Sequence, residues 1–145
     1  MRRLRRLAEL TGRERRLLVV AWWRLLLVHL GLRLLPYRRV ERLAGRWGRS
    51  RSPGHDDVPW EEIERLHWLV AVAAGRHPSA VSCLRRSLVL RALLARRGVT
   101  AELRFGVHAD RPDLHAHAWL EVNGRPVGEK PETLASLIPL ERHPA

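Results

Sequence analysis

Residues 82–98 read Ser82-Cys83-Leu84-Arg85-Arg86-Ser87-Leu88-Val89-Leu90-Arg91-Ala92-Leu93-Leu94-Ala95-Arg96-Arg97-Gly98, and they hold the only cysteine of the chain. Serine is a favoured N-cap, so Ser82 predicts a helix that starts at Cys83. The run from Leu84 to Ala95 is built from strong helix formers, and Gly98 stands at the expected C′ position. Between Leu88 and Ala95 the helix is apolar nearly all round, which predicts a central, buried element. A helix N-terminus presents unpaired N–H groups and a partial positive charge. Both favour thiolate over thiol, and the same N–H groups can hold a developing oxyanion. A lone cysteine is most often a small core hydrophobe. Cys83 is distinguished by its position at the helix start and by the histidine-bearing strands downstream.

After Gly98 the period changes from helical to alternating. Ala101, Leu103, Phe105 and Val107 interleave with Glu102 and Arg104, a half-buried strand within residues 100–107. Residues 108–113 form a polar turn. From Leu114 to Val122 the chain alternates again, with Ala116, Ala118, Leu120 and Val122 on one face and His115, His117, Trp119 and Glu121 on the other. Asn123-Gly124 is a strong hairpin signal, so residues 125–130 should return as a third strand. Beyond Pro131 the expectation is a short helix at best, peripheral to the fold.

Upstream the chain reads as helices. Residues 1–16 are rich in arginine with leucines at helical spacing. From Leu17 to Leu35 the chain is apolar, ending before Pro36. Arg24, His29 and Arg33 interrupt this segment, which argues against a transmembrane span, and no small-residue cleavage site succeeds it as a signal peptide would require. Its apolar face needs cover from the core or a partner. An interfacial membrane helix is the lesser alternative. Residues 45–59 carry Gly45, Gly48, Ser50, Ser52, Pro53, Gly54 and the pair Asp56-Asp57, a loop composition that marks the best boundary. Pro59 then opens a helix from Trp60 to Gly75, with Ile63, Leu66, His67, Val70 and Ala74 recurring on one face. The order is helices first, then a helix leading into an antiparallel sheet, which is α+β.

The 145 residues make one ordinary domain with an appendage. A single cysteine excludes an internal disulfide framework and fits a reducing compartment, so a cytoplasmic location is expected. The net charge of +12 is almost entirely arginine, Lys130 being the only lysine. Such a charge permits anionic partners, but an arginine bias can equally reflect genome composition, so it selects none.

A thiol nucleophile needs an imidazole to take its proton and a third group to fix the tautomer. The hairpin register decides which residues meet. With a two-residue loop, Asn123-Gly124, His117 faces Lys130 and Glu129 points to the other face. With a three-residue loop, residues 122–124, Glu121 pairs with Arg125 and His117 lies across from Glu129 at roughly 4.5–5.5 Å between β-carbons. Both loops suit the sequence. The three-residue loop is the one expected here, because it also assembles Cys83, His117 and Glu129. His115-x-His117 with His108 nearby is a thin metal pattern without a second cysteine or a carboxylate cluster, so no metal or other cofactor is expected. Glu121 is an alternative orienting acid, and His29, His55, His67 and His77 read as structural or solvated.

Taken together, Ser-Cys83-Leu-Arg-Arg-Ser-Leu, Leu-Leu-Ala-Arg-Arg-Gly-Val, Glu-Leu-Arg-Phe-Gly-Val and Ala-His117-Ala-Trp-Leu-Glu-Val-Asn-Gly resemble the transglutaminase-like leader peptidase of lasso-peptide biosynthesis. The likeness is to the stand-alone protease half and runs from about Trp60 to Lys130. It implies a papain-like core, taken here as residues 60–145; the loop composition makes 46–59 a linker, and the helical region at 1–45 is expected to be a docking region. It implies Cys83 as nucleophile, His117 as base and Glu129 where the family usually has aspartate. Glutamate is a departure, but its longer side chain can still orient the ring. Trp119 could line the substrate groove or simply pack. The resemblance further implies a precursor peptide as substrate, a separate leader-binding protein that delivers it, and an ATP-dependent cyclase acting afterwards. The rival readings are another papain-like amidase or acyl transferase, a basic nucleic-acid-binding module, and a scaffold with an inert cysteine. No specific nucleic-acid motif accompanies the charge.

Overall fold

The computed structural model describes residues 10–48, 58–108 and 116–140. Four helices precede a small antiparallel sheet. Helix α1 spans Gly12–Leu34 and begins at a capping box: the Thr11 side chain accepts from the Glu14 N–H at 3.2 Å, and the Glu14 carboxylate accepts from the Thr11 N–H at 2.9 Å. The four-residue signature Thr11-x-x-Glu14 thus sets a start five residues earlier than the hydrophobic run alone suggests. Pro36 ends α1 and opens α2, Tyr37–Trp47. Pro59 opens α3, Trp60–Ala74, with Glu61 and Glu62 in its first turn, where the helix dipole favours them. Helix α4 spans Cys83–Ala95. Ser82 caps it by accepting from the Arg85 N–H at 3.4 Å, as the sequence predicts, and Gly98 at φ +81° turns the chain away after its end.

Helix α4 is the centre of the packing. Leu88, Val89, Leu90, Ala92, Leu93 and Leu94 are all buried, between α1, α2 and α3 on one side and the sheet on the other. The N-terminal region also belongs to this core: Ala21, Leu25 and Val28 of α1 are at most 1% exposed, and Val40 of α2 joins the same cluster. Ion pairs link the helices, Arg65–Glu14 at 2.6 Å between α3 and α1, Arg91–Glu41 at 3.1 Å between α4 and α2, and Arg97–Glu62 at 2.7 Å between α4 and α3. At partly exposed positions each contributes about 0–1 kcal/mol, so apolar burial carries the stability.

Among the described residues α1 is the helix whose length and composition would allow it to cross a membrane, yet its inner side is built into the core. Its other side is bare: Val19, Trp23, Leu27, Leu30 and Leu34 are exposed, Trp23 at 55% and Leu34 at 79%. Most of the expected linker, residues 49–57 with His55, lies outside the described residues, as does His115.

The sheet has the order β3-β2-β1-β4, with β1 Glu102–His108, β2 Ala116–Val122, β3 Arg125–Pro126 and β4 Leu137–Pro139. All its pairings are antiparallel. Two expectations are corrected. The hairpin closes with two residues: Val122 pairs with Arg125, while Asn123 (φ +51°) and Gly124 (φ +75°) take the left-handed conformation that a tight primed turn requires. The three-residue loop is therefore wrong. The C-terminal stretch is also more than peripheral, because after the short helix α5, Pro131–Ala135, it adds β4 to the edge of β1, with Leu137 buried. A strand of three residues has too few alternations to register as one in the sequence.

Candidate active site

Cys83 sits at the first position of α4, partly exposed and unpaired with any other cysteine. His117 lies near the start of β2 and is partly buried. The two line one open cleft of about 260 Å³, together with His67, Trp119 and Glu129. The three residues singled out from the sequence, far apart along the chain, are thus brought to one site.

Besides apolar packing, one buried polar contact links the elements that carry Cys83 and His117. Ser87, one helical turn beyond Cys83, donates its hydroxyl to the Ala118 carbonyl at 3.2 Å. Ala118 is the neighbour of His117, so this bond ties the cysteine's helix to the histidine's strand. Ser87 is 7% exposed and is the buried polar side chain of the described core.

The Nε2 atom of His117 lies 2.9 Å from Oε1 of Glu129, both side chains being 21% exposed. An ionised carboxylate only accepts, so Nε2 carries the proton and Nδ1 is left as the basic nitrogen. This contact forms despite the two-residue hairpin. Continued in the same register, β3 would place Lys130 across from His117 and Glu129 beside the buried Ala118. The register does hold as far as Val127, whose N–H donates to the Leu120 carbonyl at 2.9 Å. Gly128 then takes φ +71° and breaks it, turning Glu129 onto the histidine's side. Glu129 thus meets His117 as expected, for a different reason than the one the sequence suggested.

Trp119 is only 6% exposed. Its ring stacks on His117 with centroids 6.0 Å apart, and its indole N–H donates to Glu121 at 3.0 Å. It also covers Gly106, the cross-strand partner of His117, where a β-carbon would come within 3.2 Å of the indole. It is a packed wall of the cleft. Glu121, the alternative orienting acid, is engaged by Trp119 and by Arg104 at 3.1 Å.

Two cleft residues escaped the sequence reading. His67, on the inner face of α3, is half-buried in the cleft wall; burial and the nearby Arg86 hold its pKa below the usual histidine value, against the opposing pull of Glu129 and Glu64. Gly128 is the other. The periodicity placed His67 on the right face of its helix but said nothing of what lay opposite. His29 and His77 form a separate cluster, their rings 6.3 Å apart. Arg85 bridges to His29 Nδ1 at 2.7 Å and His77 Nδ1 meets the Ser79 hydroxyl at 3.0 Å, joining α1 to the turn before α4. Among the described residues no group of three or more His, Cys, Asp or Glu side chains converges as metal ligands would.

A helix-borne cysteine and a strand-borne histidine line one cleft, the arrangement expected of a transglutaminase-like fold. Comparison with known families agrees: residues 25–142, most of the chain, match the transglutaminase-like superfamily. The protein belongs to that superfamily, whose enzymes are cysteine-protease-like hydrolases and acyl transferases. No curated protein and no solved structure matches the chain.

Proposed function

We propose that the protein is a cysteine peptidase that removes the leader from a ribosomally made lasso-peptide precursor, with Cys83, His117 and Glu129 as its triad. The observation that carries this reading is the 2.9 Å contact of His117 Nε2 with Glu129 in the cleft that Cys83 opens onto. The motif resemblance supplies the substrate class.

The residues have these roles. Glu129 holds the His117 tautomer, so Nδ1 takes the Cys83 proton and leaves a thiolate. The sulfur attacks the scissile carbonyl carbon, forming a C–S bond while the π electrons move to oxygen. Backbone N–H groups at the start of α4 stabilise that oxyanion. Collapse breaks the C–N bond, and the imidazolium protonates the departing amine. Water then gives a proton to His117 and attacks the thioester. The C–S bond breaks, and the proton on His117 returns to the sulfur. A separate leader-binding protein delivers the precursor in the cytoplasm, where it is made, and an ATP-dependent cyclase acts on the product. The bare face of α1 is the docking surface offered to the leader-binding protein. Its apolar side chains lie beside exposed Arg13, Arg15, Arg16 and Arg33, which suits a surface combining apolar and acidic groups.

The test is mass spectrometry of a candidate precursor incubated with the leader-binding protein and either wild type or Cys83→Ala. Free leader and core are expected from wild type alone. A leader joined to an amine would point to acyl transfer instead, and equal cleavage by both proteins would end the peptidase reading.

A further inference from the structure

The hairpin register turns Glu129 away from His117, and a single residue restores the contact, so whatever holds Gly128 in place controls the third member of the triad. Gly128 has φ +71°, a conformation costing L-residues roughly 1–2 kcal/mol. It also lies against the His67 imidazole so closely that a β-carbon at 128 would fall onto the ring, over Cε1 and both nitrogens. His67 projects from α3, whose Leu66 and Val70 are 2% and 1% exposed, so its backbone is fixed in the core. The imidazole is thus a flat face on a rigid element, with the kink of an edge strand pressed against it. From Gly128 the next residue is Glu129, and the Glu129 carboxylate reaches His117.

We propose that His67 is the positioning residue of the triad: its ring is the platform that fixes the Gly128 kink and so aims Glu129 at His117. The inference rests on the triad reading above. Its chemistry is steric, and His67 transfers no proton in the reaction. The low basicity of His67 fits this role, since an uncharged ring does not draw the Glu129 carboxylate to itself. The charged groups around it are Arg86 of α4, Glu64 of its own helix and Glu129. A β-branched or aliphatic side chain at 67 would fill the volume without offering the flat face. Gly128 can have no substitute, because both its φ and its clearance exclude a β-carbon.

The test is the rate at which iodoacetamide alkylates Cys83 at pH 6 and at pH 9, in the full chain, with folding checked by circular dichroism. At pH 6 the thiolate depends on the imidazolium, and the imidazolium on Glu129. At pH 9 an ordinary cysteine thiol is ionised without help. Glu129→Gln is expected to slow alkylation at pH 6 by about tenfold, the scale of losing an adjacent opposite charge, and to leave pH 9 nearly unchanged. His67→Leu and Gly128→Ala are expected to reproduce that loss, and His67→Phe, which keeps a flat ring, to recover most of the rate. The double variant His67→Leu/Glu129→Gln should be no slower than Glu129→Gln alone, because both act through one group. Wild-type rates in folded His67→Leu or Gly128→Ala, equal slowing by His67→Phe and His67→Leu, or losses that multiply in the double variant would each overturn the proposal. If Glu129→Gln itself reacts like wild type at pH 6, it is the triad reading that fails.

Discussion

Ser87 does for α4 what Gly128 does for Glu129: a small residue sets the position of a larger group. Its hydroxyl bond to the Ala118 carbonyl is buried and spans the joint between the cysteine's helix and the histidine's strand. Ser87→Ala is expected to destabilise the protein by about 1–2 kcal/mol, read from urea denaturation, because a buried bond is lost without a replacement. A loss below experimental error would show that the joint is held by apolar packing alone. At this scale Cys83 and His117 were legible as residue types in suggestive positions. Ser87, His67 and Gly128 were not, since their roles come from what lies across from them in three dimensions. A glycine within a short return strand is equally consistent with a bulge or a plain turn until its φ is seen.

The elements show the same division. Helix α4 was readable end to end, because its cap, its apolar run and its terminal glycine agree. The strands β1 and β2 were readable from alternation. The hairpin was not, since Asn-Gly serves both loop lengths, and preferring the loop that assembled a triad chose the wrong register. Asn123→Ala should cost about 1 kcal/mol in thermal or urea unfolding, because alanine tolerates φ +51° poorly. The bare face of α1 yields a second expectation. Leu27→Glu with Leu30→Glu should leave folding stability within about 0.5 kcal/mol per site, since both side chains already face solvent. If the proposed leader-binding partner docks on this face, the same pair should weaken its binding tenfold or more, about 1.4 kcal/mol, measured by calorimetry. Undiminished binding would rule out this face as the proposed docking surface. Deleting α1 would be a poor substitute, because Ala21, Leu25 and Val28 would leave the core with it.

Across the whole molecule the class was legible, helices followed by a small antiparallel sheet, because two periodicities change over at Gly98. What the chain order could not convey is that α1 and α2 close over α4 as part of one core, since an apolar stretch looks the same whether it packs inward or outward. That packing has a pH signature. Burial first, and nearby arginines second, hold both His29 and His67 below their ordinary value near 6.5. The unfolded chain therefore binds more protons than the folded one once pH falls below that value, and stability declines with acidification. The melting temperature should fall between pH 7 and pH 5, and fall less in His67→Phe. Glu14, held at about 2 chiefly by its hydrogen bond from Arg65, extends the same trend, its contribution being lost as pH falls from 4.5 toward 2. A flat melting temperature from pH 7 to 5 would contradict the partly buried, uncharged state of these histidines.

The most direct test of the central claim, that a histidine activates the thiol at the first position of α4, is the alkylation rate of Cys83 near neutral pH in wild type and in His117→Ala. Rapid alkylation in wild type, slowed at least about tenfold in the variant, is the expected result. Equal and slow reaction in both would mean that Cys83 is an ordinary thiol at the end of a core helix, and that the cleft does no covalent chemistry.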